Sequence, residues 1–194
     1  FKYLTDRDYE ILVVSSDSPN AEAFCKRNGV RFAPVNIPRS ISPIAIIKAI
    51  TSICSLIYKE KPDAVFGHTP VGALCAMMAA KICLVKIRVY YRHGLIYTTM
   101  SGMKRRIFKI EEKYVASLAT EVVNVSHSLS KLAIAERLND ADKQYEIGHG
   151  TCGGIDAKNI FNPDLIDNGK LQRLRLQYGF QYAGIVFGFC GRIC

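Results

Sequence analysis

The chain has 194 residues, 49% of them hydrophobic, and a formal net charge of +9. That composition fits a folded domain with one sizeable core and excludes a disordered tail. No apolar run reaches the ~20 residues that a membrane-spanning helix needs; the longest, 41–58, is interrupted by Lys48, Thr51, Ser52 and Ser55 and reads as a buried amphipathic helix.

Phe1-Lys2-Tyr3-Leu4 resembles the tail of a helix already under way, with neither an initiator Met nor a signal-peptide pattern, so the N-terminus of the whole protein is expected further upstream. Residues 10–15 form a short apolar run closed by Ser-Ser-Asp-Ser-Pro, a strand followed by a turn. A helix over 20–28 stops at Gly29, and a second strand over 30–37 ends at Pro38. Ser42-Pro43 opens a helix running to about residue 60, with Ile46, Ile47, Ile50, Ile53, Cys54 and Ile57 on its buried face. A strand over 63–66 leads into Gly67-His68-Thr69-Pro70, followed by a small-residue helix over 72–82. The strand over 86–91 runs into Arg92-His93-Gly94, and 102–117 is a basic helix. A strand over 121–125 ends in Ser126-His127-Ser128, a helix covers 128–138, and 144–147 is a last short strand. Beyond a glycine-rich segment, 148–156, the apolar run 184–189 predicts one more strand, leading to Cys190-Gly191-Arg192.

Strands and helices that alternate in this way predict an α/β fold, a Rossmann-like parallel sheet with helices on both faces. Ligands of such sheets bind beyond the carboxyl ends of the strands. His68, His93, Ser126 with His127, and His149 with Thr151 stand at four successive strand ends. Each alone reads equally as a hydrogen-bonded loop residue; together they mark one edge of the sheet. No short ligand spacing supports a metal site, and no Gly-x-Ser-x-Gly elbow supports a nucleophilic triad. The glycines of 148–154 suit either a phosphate cradle or a hinge, and match neither the P-loop nor the dinucleotide fingerprint.

Charge and sulfur narrow the setting. Between residues 81 and 113, Lys81, Lys86, Arg88, Arg92, Lys104, Arg105, Arg106, Lys109 and Lys113 stand against only Glu111 and Glu112. Such a stretch attracts nucleic acid, anionic lipid or a phosphorylated substrate, or is simply a solvated helix face. Tyr90, Tyr91 and Tyr97 near Arg88 and Arg92 carry the nucleic-acid reading. Seven cysteines, an odd number without Cys-x-x-Cys spacing, point to a reducing cytoplasm and away from zinc or disulfides.

The segments DAVFGHTP (63–70), Arg92-His93-Gly94, Val123-Asn124-Val125-Ser126, and Gly154-Ile155-Asp156 with Phe161-Asn162-Pro163 occur in an order that resembles family 4 glycosyltransferases. These are retaining, nucleotide-sugar-dependent enzymes of the GT-B fold, and the chain is especially similar to bacterial capsular and surface-polysaccharide members. The resemblance implies that 1–163 is the acceptor-side domain lacking its first strand, 164–183 an interdomain linker or helix, and 184–194 the first strand of a donor-binding domain. It implies that His93 faces the transferred sugar, that Arg192 and Gly191 hold the donor diphosphate, and that His68, Thr69 and Ser126 touch acceptor or sugar. It further implies a nucleotide-diphosphate sugar as donor, a polyprenyl-diphosphate-linked or glycan acceptor, no metal cofactor and no nucleic-acid partner. Lys104 to Lys113, with Ile107, Phe108 and Ile110 interleaved, would rest on an anionic membrane at the cytoplasmic face. Two positions depart from the family pattern: Gly153-Gly154 replaces the usual Asn-Gly, and His149 stands where relatives often carry Asn. The glutamates that hold the donor nucleotide and sugar are missing, so these residues alone are not expected to catalyse transfer. The alternatives are a GT-B sugar-nucleotide epimerase and a non-catalytic basic domain that binds nucleic acid or membrane.

Overall fold

The computed structural model describes residues 2–38, 42–150, 153–180, 182 and 184–188. It divides into two compact units, Phe1–Cys152 and Gly153–Cys194. The first opens on a single helical turn, α1 (Lys2–Thr5), followed by β1 (Leu12–Ser15), α2 (Pro19–Arg27) and β2 (Arg31–Pro34). Helix α3 (Pro43–Glu60) starts on a proline at its first position and stops where Lys61 turns left-handed, with Pro62 immediately behind it. Then come β3 (Ala64–His68), α4 (Pro70–Ile82), β4 (Ile87–Arg92), α5 (Gly102–Leu118), β5 (Glu121–Asn124), α6 (His127–Ala135) and β6 (Gln144–Glu146).

All pairings are parallel, as the alternation predicts, but the strands form two sheets rather than one. β1 pairs with β2, and β3-β4-β5-β6 form a four-stranded sheet. Helix α3 joins them: Ile46, Ala49, Ile50, Ile53 and Ile57 pack with Cys75, Ala79 and Ala80 of α4, while Val14 of β1 and Val65 of β3 press on the same cluster. Ile47, expected on that buried face, is 60% exposed; at 100° per residue it has rotated out of the Ile46–Ile50–Ile53–Ile57 line. On β4, Val89 and Tyr90 point to opposite faces and are both buried, as are Val122 and Val123 on β5. The two central strands are therefore covered on both faces, while Phe66 of β3 is 57% exposed. Gly67 lets α4 lie close behind β3, since a Cβ there would stand 3.0 Å from Ala73 Cα.

In the second unit the main regular element is α7 (Asn168–Gln177), capped by Asp167, whose carboxylate accepts from the Gly169 and Lys170 amides. Residues 184–188, expected as the start of a strand, have no strand assignment. A β-strand is defined by its ladder partner, and none among the described residues lies alongside this run.

Candidate active site

The carboxyl ends of β3 and β4 build the centre of the site. His68 and Tyr91 are directly paired in the parallel register, so their side chains lie on the same face. His93 is two residues beyond Tyr91 and returns to that face by the strand period. The result is a cluster of three rings with centroids 5.1–5.2 Å apart. Within it His68 Nδ1 and His93 Nε2 stand 3.0 Å apart, one donating and the other accepting. Packing around His68 lowers its pKa, helped by repulsion from a charged His93, and packing alone lowers that of His93. Both imidazoles are thus neutral near pH 7. Two neutral rings hold two N–H donors and two acceptors; the mutual bond uses one of each.

The next residues have more local roles. Thr69, immediately before α4, has a positive φ of 64°, an unfavourable conformation for a β-branched residue. Ser126 caps α6: its Oγ accepts from the Leu129 amide at 3.3 Å and lies 3.1 Å from Ser128 Oγ. It is engaged with its own helix and not with the histidine pair. His127 Nδ1 lies 3.4 Å from Glu146 Oε2, which places a carboxylate at the end of β6 that the sequence reading of the strand ends passed over. The 147–150 loop crosses the turn between β5 and α6 so closely that a Cβ on Gly150 would meet Val125 O at 2.7 Å. His149 sits exposed on that loop. Thr151, Gly191 and Arg192 lie outside the described residues.

Beneath this face runs a polar network that sequence reasoning missed. Arg92, read there as part of a basic surface, is 0% exposed. Its Nε donates to Glu112 Oε1 at 2.7 Å, Nη1 to Asn124 Oδ1 at 3.1 Å and Nη2 to Asn139 Oδ1 at 3.0 Å. Tyr90 donates to the other Glu112 oxygen at 3.0 Å, and burial followed by the Glu112 charge pushes its phenol pKa up. Asn124 Nδ2 continues the chain to Ser130 Oγ and Gln144 Oε1. The network ties α5, β4, β5 and β6 together directly behind His93. One signal was available: Glu112 falls in helical phase with Val115, Ala116 and Ala119, on the buried side of an otherwise basic helix.

The same burial corrects the ground for nucleic-acid binding. Tyr90 and Tyr97 are inside with Arg92, and Arg88 donates to the carbonyls of Leu118 and Val85. The interleaved aromatic and basic residues do not form an exposed stacking platform. Arg105 and Lys109 are likewise spoken for, both bridging to Glu136 at 2.9 and 2.8 Å. Among the described residues no group of three or more His, Cys, Asp or Glu side chains converges as a metal site, and no helix is long and apolar enough to cross a membrane. A cavity of about 350 Å³ lies away from the histidines, where Lys61, Pro62 and Asp63 precede β3 and Leu84, Val85 and Lys86 precede β4. The strand-end site is instead an open face.

A parallel sheet flanked by helices, with polar side chains gathered at its carboxyl edge, is the architecture of an α/β ligand-binding fold. The chain belongs to the glycosyl transferase 4-like family, whose family model matches residues 1–126. It is 28% identical over 192 residues to the capsular polysaccharide biosynthesis glycosyltransferase CapM of Staphylococcus aureus, covering 99% of this chain and 48% of that protein. It is 24% identical over 194 residues to the UDP-Gal:alpha-D-GlcNAc-diphosphoundecaprenol alpha-1,3-galactosyltransferase of Escherichia coli, again with 48% of the relative covered. The chain therefore spans about half the length of the curated relatives it matches. Its fold is similar to a glycosyltransferase from Rickettsia africae, with a TM-score of 0.66 and 20% identity over 92% of this chain and 44% of that one. It is also similar to Anabaena Alr3699/HepE, solved with UDP and glucose, with a TM-score of 0.63 and 14% identity over 92% and 44% of the chains. A UDP-N-acetylglucosamine 2-epimerase from Rickettsia bellii shares the fold at a TM-score of 0.53 and 18% identity, over 76% and 40% of the chains. The architecture is thus common to transferases and epimerases.

Proposed function

We propose that the intact protein is a retaining hexosyltransferase that moves a sugar from a nucleotide-diphosphate sugar to a polyprenyl-diphosphate-linked or polysaccharide acceptor. Family membership supports the transferase class, and the names of the two relatives support surface-polysaccharide assembly on a lipid-linked acceptor. Such an acceptor puts the work at the cytoplasmic face of the membrane. The observation that carries the reading to residues is the His68–His93 hydrogen bond, which holds both imidazoles together at the open edge beyond β3 and β4. Imidazole nitrogens donate or accept according to tautomer, and a sugar hydroxyl does both, so such a pair suits a sugar.

In this reading His93 is the catalytic-site residue nearest the transferred sugar, and His68 fixes its ring and tautomer. Thr69, at the start of α4, and Ser126, at the start of α6, line the acceptor side. The chemical demand is to stabilise charge developing on the departing diphosphate, which helix N-termini and a planar guanidinium meet without a metal. Arg192, with Gly191 beside it in sequence, is assigned that role by its match to the family's Gly-Arg motif. Closure of two domains would keep water from the donor.

The test is transfer of label from a set of nucleotide sugars to a polyprenyl-diphosphate-linked acceptor by the full-length protein. His93→Ala should lower kcat by roughly 10²-fold or more, within the range of lost hydrogen-bonding and acid–base contributions. Unchanged turnover in that variant would remove His93 from the site. The epimerase reading keeps one observation in its favour, the Glu146 carboxylate beside His127. Acceptor-free inversion of a UDP-sugar with solvent deuterium uptake would select it over transfer.

A further inference from the structure

The cysteines take no part in the strand-end site, yet two of the described ones meet. Cys54 lies within α3 and Cys83 immediately follows α4, 29 residues apart in sequence. Ala79 brings them together: its carbonyl accepts from the Cys83 amide at 2.9 Å and from Cys54 Sγ at 3.9 Å. Cys83 Sγ in turn donates to the Cys54 carbonyl, also at 3.9 Å. Both side chains are half-buried and pack against the core cluster that α3 and α4 share. Cys25 and Cys75, by contrast, are enclosed.

Access to the pair is one-sided. Cys83 lines the cavity of about 350 Å³ at the amino ends of β3 and β4, and Cys54 is not in that lining. A small solute in the cavity therefore meets Cys83 first. Cys54 is also the poorer first target, because thiolate is the reactive form. Burial, then the hydrogen bond and charge of Cys83, push its pKa up to about 11. Oxidation of Cys83 removes the second and third of those causes and gives Cys54 an electrophilic sulfur as its neighbour.

We propose that Cys54 and Cys83 are a reversible thiol–disulfide pair, oxidised by hydrogen peroxide or another small peroxide. The peroxide O–O bond breaks as the Cys83 sulfur takes one oxygen, giving a sulfenic acid and one water. The Cys54 sulfur then displaces that oxygen. An S–S bond forms, the S–O bond breaks, and the oxygen leaves as a second water with the Cys54 proton. Two electrons pass from the sulfurs to the peroxide, and exchange with a reducing dithiol restores both thiols. The bond closes a loop through the end of α3, β3 and α4, and it fastens α3, on which both sheets rest, to α4. The inference is independent of the transferase reading, because neither sulfur stands at the strand ends that carry the histidines.

The experiment treats the full-length protein with hydrogen peroxide, digests it without reduction and identifies linked peptides by mass spectrometry. A Cys54–Cys83 peptide is expected, lost on adding dithiothreitol. It should form about tenfold faster or more in the folded protein than in urea, where nothing holds the thiols together. Cys54→Ser should leave Cys83 as a sulfenic acid that dimedone traps, whereas in Cys83→Ser residue 54 should remain a thiol. Oxidised wild type should melt roughly 5 °C or more above the reduced protein, since the closed loop constrains the unfolded chain. Absence of the linked peptide, or its formation no faster than in urea, overturns the proposal, and this readout needs no variant to fold. So does pairing of either residue with a different cysteine. Dimedone on Cys54 in Cys83→Ser would overturn the order of oxidation, and equal melting temperatures would overturn the fastening of α3.

Discussion

Arg92 Nε donates to Glu112 Oε1 at 2.7 Å, with the two side chains 0% and 6% exposed. An ion pair this deep does not hold because of its Coulomb attraction alone. Taking both charges out of water is expensive, and the arrangement is supported by Asn124 and Asn139, which accept further bonds from Arg92, and by Tyr90, which donates to Glu112. Removing one partner leaves the other charge buried without compensation. Glu112→Ala and Arg92→Ala should each lower unfolding free energy by roughly 3–5 kcal/mol in urea denaturation. The double replacement Arg92→Met/Glu112→Leu should recover much of that loss. If Glu112→Ala unfolds at the wild-type urea concentration, the network is not holding the end of β4.

The histidine pair makes a pH prediction with a definite sign. Both folded-state pKa values lie below 6.5, from partial desolvation of each ring by its neighbours and, for His68, repulsion from His93 as a second cause. The unfolded chain, with ordinary histidines, takes up protons at a higher pH than the folded chain does. The contribution to stability is therefore complete above about 6.5 and is lost as pH falls toward the lowered folded values. Proton NMR titration of the imidazole C–H signals should place both transitions below 6.5. In His93→Ala the His68 transition should move up, though not fully, because its principal cause remains. A His68 or His93 transition above 6.5 in the wild type would contradict the geometry.

Gly150 combines a φ of 83° with a backbone approach that admits no Cβ, 2.7 Å from Val125 O and 2.9 Å from Ser126 Cα. Neither obstacle is a flexible side chain that can swing away. Gly150→Ala should lower stability by roughly 1–3 kcal/mol, read as a fall in the melting temperature. Gly153→Ala is the control, with no atom within 4 Å of its added Cβ and no positive φ. Equal melting temperatures for the two variants would mean that the 147–150 loop does not sit on the β5–α6 turn.

Cys54 is sheltered chemically as well as sterically. Burial first, and its interaction with Cys83 second, push its thiol pKa up to about 11. Its Sγ lies 3.9 Å from the Ala79 carbonyl, and Cys83 Sγ lies 3.9 Å from the carbonyl of Cys54. Thiolate is the nucleophile, so alkylation of Cys54 by iodoacetamide at pH 8 should run at least tenfold slower than that of a free peptide thiol. Mass spectrometry of peptides from the folded protein measures this directly, and labelling at the peptide rate would refute it.

The order of strands and helices was legible because hydrophobic period and turn residues are local. Pro43, Pro19 and Pro70 mark three helix starts, and Ser126 caps a fourth. His68 and His93 could be placed at neighbouring strand ends for the same reason. Their hydrogen bond could not be read, because it depends on the parallel register that sets His68 opposite Tyr91, between residues 23 apart in sequence. Arg92 was misread as surface because charge in a sequence carries no label for burial. Only the phase of Glu112 against Val115 and Ala116 hinted at a buried acid waiting for a partner. The division of strands into two sheets was illegible for a further reason: α3 covers both, and a helix pattern does not say how many sheets its apolar stripe spans.

That shared helix sets the order in which the first unit comes apart. A two-stranded parallel pair has too little of its own to persist in water. β1 and β2 thus borrow their permanence from the isoleucine row of α3, whereas β4 and β5 are enclosed from both sides. Amide protons along β1 should open to solvent together with α3, as one cooperative block, while those of β4 stay shut until the whole unit unfolds. The chain thus has a soft flank and a hard centre, and the histidine pair stands on the edge of the hard part.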